Sequence, residues 1–101
     1  MPNRNYEAGR RWEWTVMREW KKAGYKVLRT AGSHGDYDVI AVKWGVYPAF
    51  IQCKVVQTEA EATRLIDNFL ENPPWKGDSY YEQFIQIHIK GDKRLFEGSV
   101  S

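Results

Sequence analysis

The sequence predicts a small α/β protein: a mixed β-sheet flanked by helices, with elements in the order α-β-β-β-α-β. Three observations carry this. Residues 5–23 and 59–71 place apolar side chains at helical spacing. Short apolar runs stand between and after them, and Gly- and Pro-containing turn words separate those runs. One helix on each side of a small sheet makes a two-faced layer fold.

The first helix is read over residues 5–23. At about 100° per residue, Gly9, Val16, Met17, Trp20 and Gly24 fall in a narrow stripe centred on Glu13. A carboxylate in a core-facing stripe must be paired, hydrogen-bonded or bound to a metal. Gly9 on the same side is expected to let another backbone or a ligand approach. Ala23-Gly24 ends the helix. Tyr25–Thr30 reads as a strand and 31–36 as a polar, glycine-rich loop.

Asp38 opens the second strand, 38–43, and Trp44-Gly45-Val46-Tyr47-Pro48 turns the chain into an antiparallel return over 49–56. Alternation puts Gln52 and Lys54 on one face and Ile51, Cys53 and Val55 on the other, so Cys53 is expected in the core. Thr58-Glu59-Ala60-Glu61 has capping-box spacing, and Ala62, Leu65, Ile66, Phe69 and Leu70 form the stripe of the second helix, which stops before Asn72-Pro73-Pro74. In the last clear strand, 81–90, Ile85, Ile87 and Ile89 alternate with Gln86, His88 and Lys90. The tail 91–101 is expected to fray, with Arg94-Leu95-Phe96 pairing briefly at most.

Length and composition set bounds. A chain of 101 residues suits one domain with one modest core. Five Trp, six Tyr and four Phe exceed what such a core needs, which points to a partner or a subunit seam. A lone cysteine excludes an internal disulfide. No apolar run is long enough to cross a bilayer, and the polar start Met1-Pro2-Asn3-Arg4 is no signal peptide, so a soluble cytoplasmic protein without membrane contact is expected. Charge is uneven: residues 1–30 hold eight Lys/Arg against three Glu, a net +5, while 31–101 hold seven basic against ten acidic residues, a net −3. A cationic N-terminal third suits phosphate contacts, and it equally suits a solvated helix face.

Glu13, Asp38 and Gln52-Cys53-Lys54 each put a polar group where folding alone asks for an apolar one. Together they suit phosphodiester hydrolysis. Mg²⁺, or Mn²⁺ in its place, takes oxygen ligands, and Glu13, Asp38 and Gln52 with the Cys53 carbonyl make a plausible set. Lys54 beside Gln52 can orient a water and offset charge in the transition state. The bland readings are a Glu13–Lys54 ion pair, Asp38 as a strand cap, and Trp12 and Trp14 as packing residues rather than base stackers. His34 can touch phosphate or merely shape its turn. His34, His88 and Cys53 lack zinc-ligand spacing.

From about Tyr6 to Val56 the chain resembles the archaeal and phage-type Holliday junction resolvases of the PD-(D/E)xK nuclease superfamily. The matching pieces are Gly9-x-x-x-Glu13, Val27-Leu28-Arg29-Thr30-Ala31-Gly32-Ser33, Asp38-Val39-Ile40-Ala41 and Ile51-Gln52-Cys53-Lys54. The resemblance implies a restriction-endonuclease-like core and a symmetric homodimer cutting branched DNA with Mg²⁺. It makes Glu13 and Asp38 metal ligands and Lys54 the catalytic lysine, with Ser33 and Arg29 on the cleaved strand. Gln52 stands where the family usually has Glu, and Asp38, which directly precedes the apolar run, is favoured over Asp36, left to assist or to shape the loop. Arg4, Arg10, Arg11, Arg29, Ser33 and His34 are the expected DNA contacts. Trp12, Trp14, Trp75, Tyr80, Tyr81 and the Ile85-Ile87-Ile89 strand are candidates for the dimer seam. Two rivals remain: a related nuclease cutting flaps or duplex sites, and a junction-binding protein whose chemistry has weakened at Gln52.

Overall fold

The first helix, α1, spans Arg4–Lys22 in a computed structural model that describes residues 4–30, 36–75 and 80–100, the side chains of residues 4–6 excepted. Its end is built as expected. The Gly24 N–H donates to Lys21 O and the Tyr25 N–H to Trp20 O, with Gly24 at φ +96°, a conformation that favours glycine. Then follow β1 (Lys26–Arg29), β2 (Val39–Val42), β3 (Ala49–Val56), α2 (Glu59–Glu71), β4 (Glu82–Ile89) and β5 (Phe96–Val100). The Thr58 hydroxyl accepts from the Glu61 N–H to start α2, and the Asn72 N–H donates to Asn68 O to close it.

The five strands lie in sequence order. β1, β2 and β3 run antiparallel, β3 and β4 are parallel through the α2 crossover, and β5 returns antiparallel to β4. This is the expected α/β class with a mixed sheet between helices. Strand and helix ends fall within a residue or two of those expected. The tail is the exception. Residues 96–100 do not fray; they pair with β4 from Gln83↔Val100 to Ile87↔Phe96, adding a seventh element.

Each face of the sheet carries its own apolar layer. Val16 and Met17 of α1 pack on Val39, Ala41, Ala49 and Ile51, with Trp20, Tyr25, Cys53 and Phe84 against them. On the other face Ala62 and Phe69 of α2 pack with Tyr37, Val56, Ile85, Ile87 and Ile89. Ile85, Ile87 and Ile89 are thus core residues beneath α2 and are unavailable to a subunit seam. Truncating one to Ala should cost about 2–5 kcal/mol. The alternate positions of β4 are not a wet face either. Gln86 is buried, its backbone carbonyl accepts from Trp12 Nε1 at 2.9 Å, and its side-chain oxygen accepts from Trp20 Nε1 at 3.2 Å. His88 stacks on Trp12 with ring centroids 5.2 Å apart. Trp12 is therefore a packing residue, while Trp14 stays exposed.

α2 packs on β5 and β4 more than on β3, so the β1–β2 side of its face is open and Leu28 and Val42 are exposed there. No described helix is long and apolar enough to cross a membrane.

Candidate active site

The β2–β3 pairing places the candidate residues. Val39 pairs with Ile51, and the Asp38 N–H donates to Ile51 O at 2.9 Å, which sets Asp38 beside Gln52. The Asp38 carboxylate then reaches one residue further: its Oδ2 accepts from the Cys53 N–H at 2.8 Å. A bond from a carboxylate to a backbone N–H fixes the rotamer of the acid and leaves its second oxygen available. Asp38 is thereby locked onto the strand segment whose flanking side chains are Gln52 and Lys54. Thr30, at the end of β1, joins the same row, its N–H donating to Asp38 O at 3.0 Å.

Gln52 is half-buried and Lys54 exposed. They share the strand parity of Phe50 and Val56, which pack in the α2-side layer, and α2 packs less on β3 than on β4 and β5. The Gln52 amide donates through Nε2 to Asp36 O at 3.3 Å, and its Oε1 has no hydrogen-bond partner among the described residues. The Asp36 carboxylate turns elsewhere and accepts from Trp75 Nε1 at 3.0 Å. Asp36 therefore braces Gln52 and Trp75 while Asp38 faces β3.

Glu13 arrives from the other face. Its Oε1 accepts from Arg29 Nε at 2.9 Å, both side chains being largely buried. The ion pair that balances Glu13 is with Arg29, not Lys54. Arg29 pairs with Val39 across the sheet, so the pair sits over the strand position next to Asp38. Cys53, against the α1 layer, lies among these charges. Burial pushes its thiol well above the usual range, Asp38 and Glu13 push it further, and Lys54 opposes them. It is thus an inert core thiol within Coulomb reach of both acids and the lysine.

The structure hence brings Asp38, Gln52 and Lys54 together on adjoining strand positions and sets Glu13 beside them across the sheet. Among the described residues no three His, Cys, Asp or Glu side chains cluster to hold a metal. Ser33 and His34, and the side chain of Arg4, lie outside the described residues. Arg10 and Arg11 are exposed on α1. Gly9 meets no described atom within 4 Å of a built Cβ, so no close backbone contact among the described residues explains it.

One feature has little trace in the sequence. Tyr37 is fully buried and donates its hydroxyl to Gln83 Oε1, and the same Gln83 side chain exchanges two hydrogen bonds with the Trp75 backbone. This knot holds the residue before Asp38. Burial raises the Tyr37 hydroxyl far above its ordinary value, with Asp36 and Tyr81 adding to it, so it remains a donor. The only signal in the sequence was an aromatic residue between two aspartates.

No family model matches the sequence, and no curated protein does. Among solved structures, the chain is similar to Hjc from Archaeoglobus fulgidus, a Holliday junction resolvase from an archaeal hyperthermophile. The TM-score is 0.53 at 21% identity, over 88% of this chain and 71% of that one. At that identity the likeness is one of fold: a mixed sheet between helices, compatible with a restriction-endonuclease-like core.

Proposed function

We propose that the chain is a divalent-metal-dependent endodeoxyribonuclease that resolves four-way DNA junctions as a symmetric homodimer. The observation that carries this is the Asp38 carboxylate clamped to the Cys53 N–H between Gln52 and Lys54. A strand cap would need only the nearest backbone group. Here the acid is instead held on the backbone N–H of the residue between Gln52 and Lys54, whose amide and ammonium are groups phosphodiester hydrolysis calls on. The fold's likeness to a resolvase, and the match of Glu13, Asp38 and Gln52-x-Lys54 to the nuclease pattern, support the same reading.

The donor chemistry fits Mg²⁺ or Mn²⁺. Asp38 offers its second carboxylate oxygen and Gln52 an amide oxygen, both hard donors on adjoining strand positions, and such ions keep most of their water shell. When bound, the cation supplies neutralisation of phosphoryl charge and a more acidic water. Asp38 contributes a preoriented anion that needs no rearrangement at the moment of reaction. Lys54 holds a water by hydrogen bond and offsets negative charge building on the phosphate. Arg29 holds Glu13 in place through its Nε hydrogen bond. Two copies related by a two-fold axis would cut the two equivalent strands of a junction, one site each.

A weaker reading rests on Gln52 and on the missing three-acid cluster among the described residues: a junction-binding protein with feeble chemistry. One experiment separates the readings. Wild type and Asp38→Asn or Lys54→Ala variants are incubated with four-way junctions, flaps and linear duplex in Mg²⁺ or Mn²⁺. Paired symmetric nicks in junctions are expected from wild type. Each variant should lose roughly a hundredfold or more in cutting while junction binding stays within about twofold. Binding with no metal-dependent product from wild type would leave only the binding reading, and cuts confined to flaps or duplex would displace the junction.

A further inference from the structure

Trp44 sits at the tip of the β2–β3 hairpin with 99% of its surface exposed. A large aromatic side chain usually contributes by burial, so one presented almost wholly to solvent has no packing role in the monomer. The backbone under it is nevertheless well held. Lys43 donates through Nζ to Ala23 O at 2.9 Å and lies 5.3 Å over the Tyr25 ring. The Val46 N–H donates to Lys43 O, and Gly45 takes φ +85° to close the turn. Tyr47 and Tyr80, both more than half exposed, meet edge to face behind it at 6.4 Å.

The surroundings are cationic. Lys43 precedes Trp44, and Lys26 pairs with Val42 at the edge of the hairpin. Lys21 and Lys22 lie in the last turn of α1, next to the Ala23 carbonyl that anchors Lys43. Against these four stand Glu19, paired with Lys22, and Glu82, which shares the surface beneath the tip. Lysine is depleted from the centres of protein–protein interfaces. An exposed aromatic ring among lysines is instead the chemistry that receives nucleobases, by stacking on the ring and pairing of phosphates with the ammonium groups.

We propose that Trp44 is a stacking platform for a base unstacked at the branch point of DNA. The proposal rests on the nuclease reading above and adds to it a residue that selects branched over linear DNA. β2 and β3 join the tip directly to the candidate site: Trp44 is six residues from Asp38. At ~3.3 Å per residue the two lie within about 20 Å, or about six nucleotides of stacked strand at ~3.4 Å each.

The test compares wild type with Trp44→Ala and Trp44→Phe in binding of a four-way junction and of a linear duplex of equal length, without metal. Trp44→Ala should weaken junction binding about tenfold and leave duplex binding within about twofold, while Trp44→Phe, which can still stack, restores most of the loss. Quenching of indole fluorescence by the junction should shrink in Trp44→Phe although binding persists. Equal junction affinity in wild type and Trp44→Ala overturns the platform and leaves the nuclease reading standing. Wild type binding neither DNA overturns both. A sedimentation change from dimer to monomer in Trp44→Ala overturns it in favour of a seam between copies.

Discussion

An amide at position 52 ligates a cation through a neutral oxygen, whereas a carboxylate there adds a full charge to the donor set. Gln52→Glu is expected to lower the Mg²⁺ concentration for half-maximal cleavage on the order of tenfold, about 1.4 kcal/mol. A metal titration of junction cleavage reads this directly. A shift the other way would mean that the bond from Gln52 Nε2 to Asp36 O, which a glutamate cannot make, outweighs the charge. At the opposite end of the sheet, Asp92 accepts from Arg94 through side chain and backbone, and these hydrogen bonds hold its carboxyl down to about 2 from an ordinary 3.8. A lowered carboxyl stabilises the fold above the ordinary value, and that contribution is lost as pH falls through about 2. The expected observation is an NMR titration midpoint for Asp92 near 2 that returns toward 3.8 in Arg94→Ala. That Asp38 neighbours the Gln52-Cys53-Lys54 segment was legible in the sequence because strand alternation and turn placement fix what neighbours what. The partner of Glu13 was not, because helical spacing says which way a side chain points but not which strand lies beneath it. Arg29, expected as a DNA contact, is also the residue that holds Glu13, through Nε.

Strand β5 shows where element-scale reading runs out. Phe96-Glu97-Gly98-Ser99-Val100 has little apolar content and a central glycine, so nothing local marks it as a strand. Its order comes from partners distant in sequence: the β4 ladder, the Gln86 Nε2 bond to Glu97 Oε2 at 3.0 Å, and α2 lying across it. The glycine is the clue in hindsight. A Cβ at Gly98 would stand 3.0 Å from Ile66 Cγ2 and 3.6 Å from both Ile85 Cγ2 and Leu70 Cδ2, so α2 packs onto bare backbone there. Gly98→Val should destabilise the fold by about 1–3 kcal/mol through overpacking, read as a lower denaturation midpoint with an unchanged slope. No change would mean that α2 shifts freely on β5. The elements that were legible, α1, β2, β3, α2 and the core of β4, are those whose own periodicity states their buried face. β5 has no periodicity to state.

At the scale of the whole molecule the asymmetry of charge becomes a surface. The basic residues of α1 do not all face one way. Arg10 is one turn before Glu13, on the flank that leads to Arg29 and Asp38. Arg11 lines a groove of about 740 Å³ between α1 and the β4–β5 turn, with Trp12, His88, Lys90 and Lys93 among its other walls. Both side chains are exposed, so neither is needed for the core. If DNA crosses the helix on its way to Asp38, both arginines neutralise phosphates and release counterions. Each of Arg10→Ala and Arg11→Ala should then flatten the dependence of log affinity on log salt by about 0.9, equally for junction and linear duplex, since a phosphate contact carries no shape information. This differs in kind from the effect expected at the hairpin tip, which discriminates between DNA shapes. Salt titrations of the two variants decide it. A slope flattened only by Arg10→Ala confines the DNA to the Glu13 flank, and an unchanged slope in both removes α1 from the footprint and leaves its charge as a solvated face.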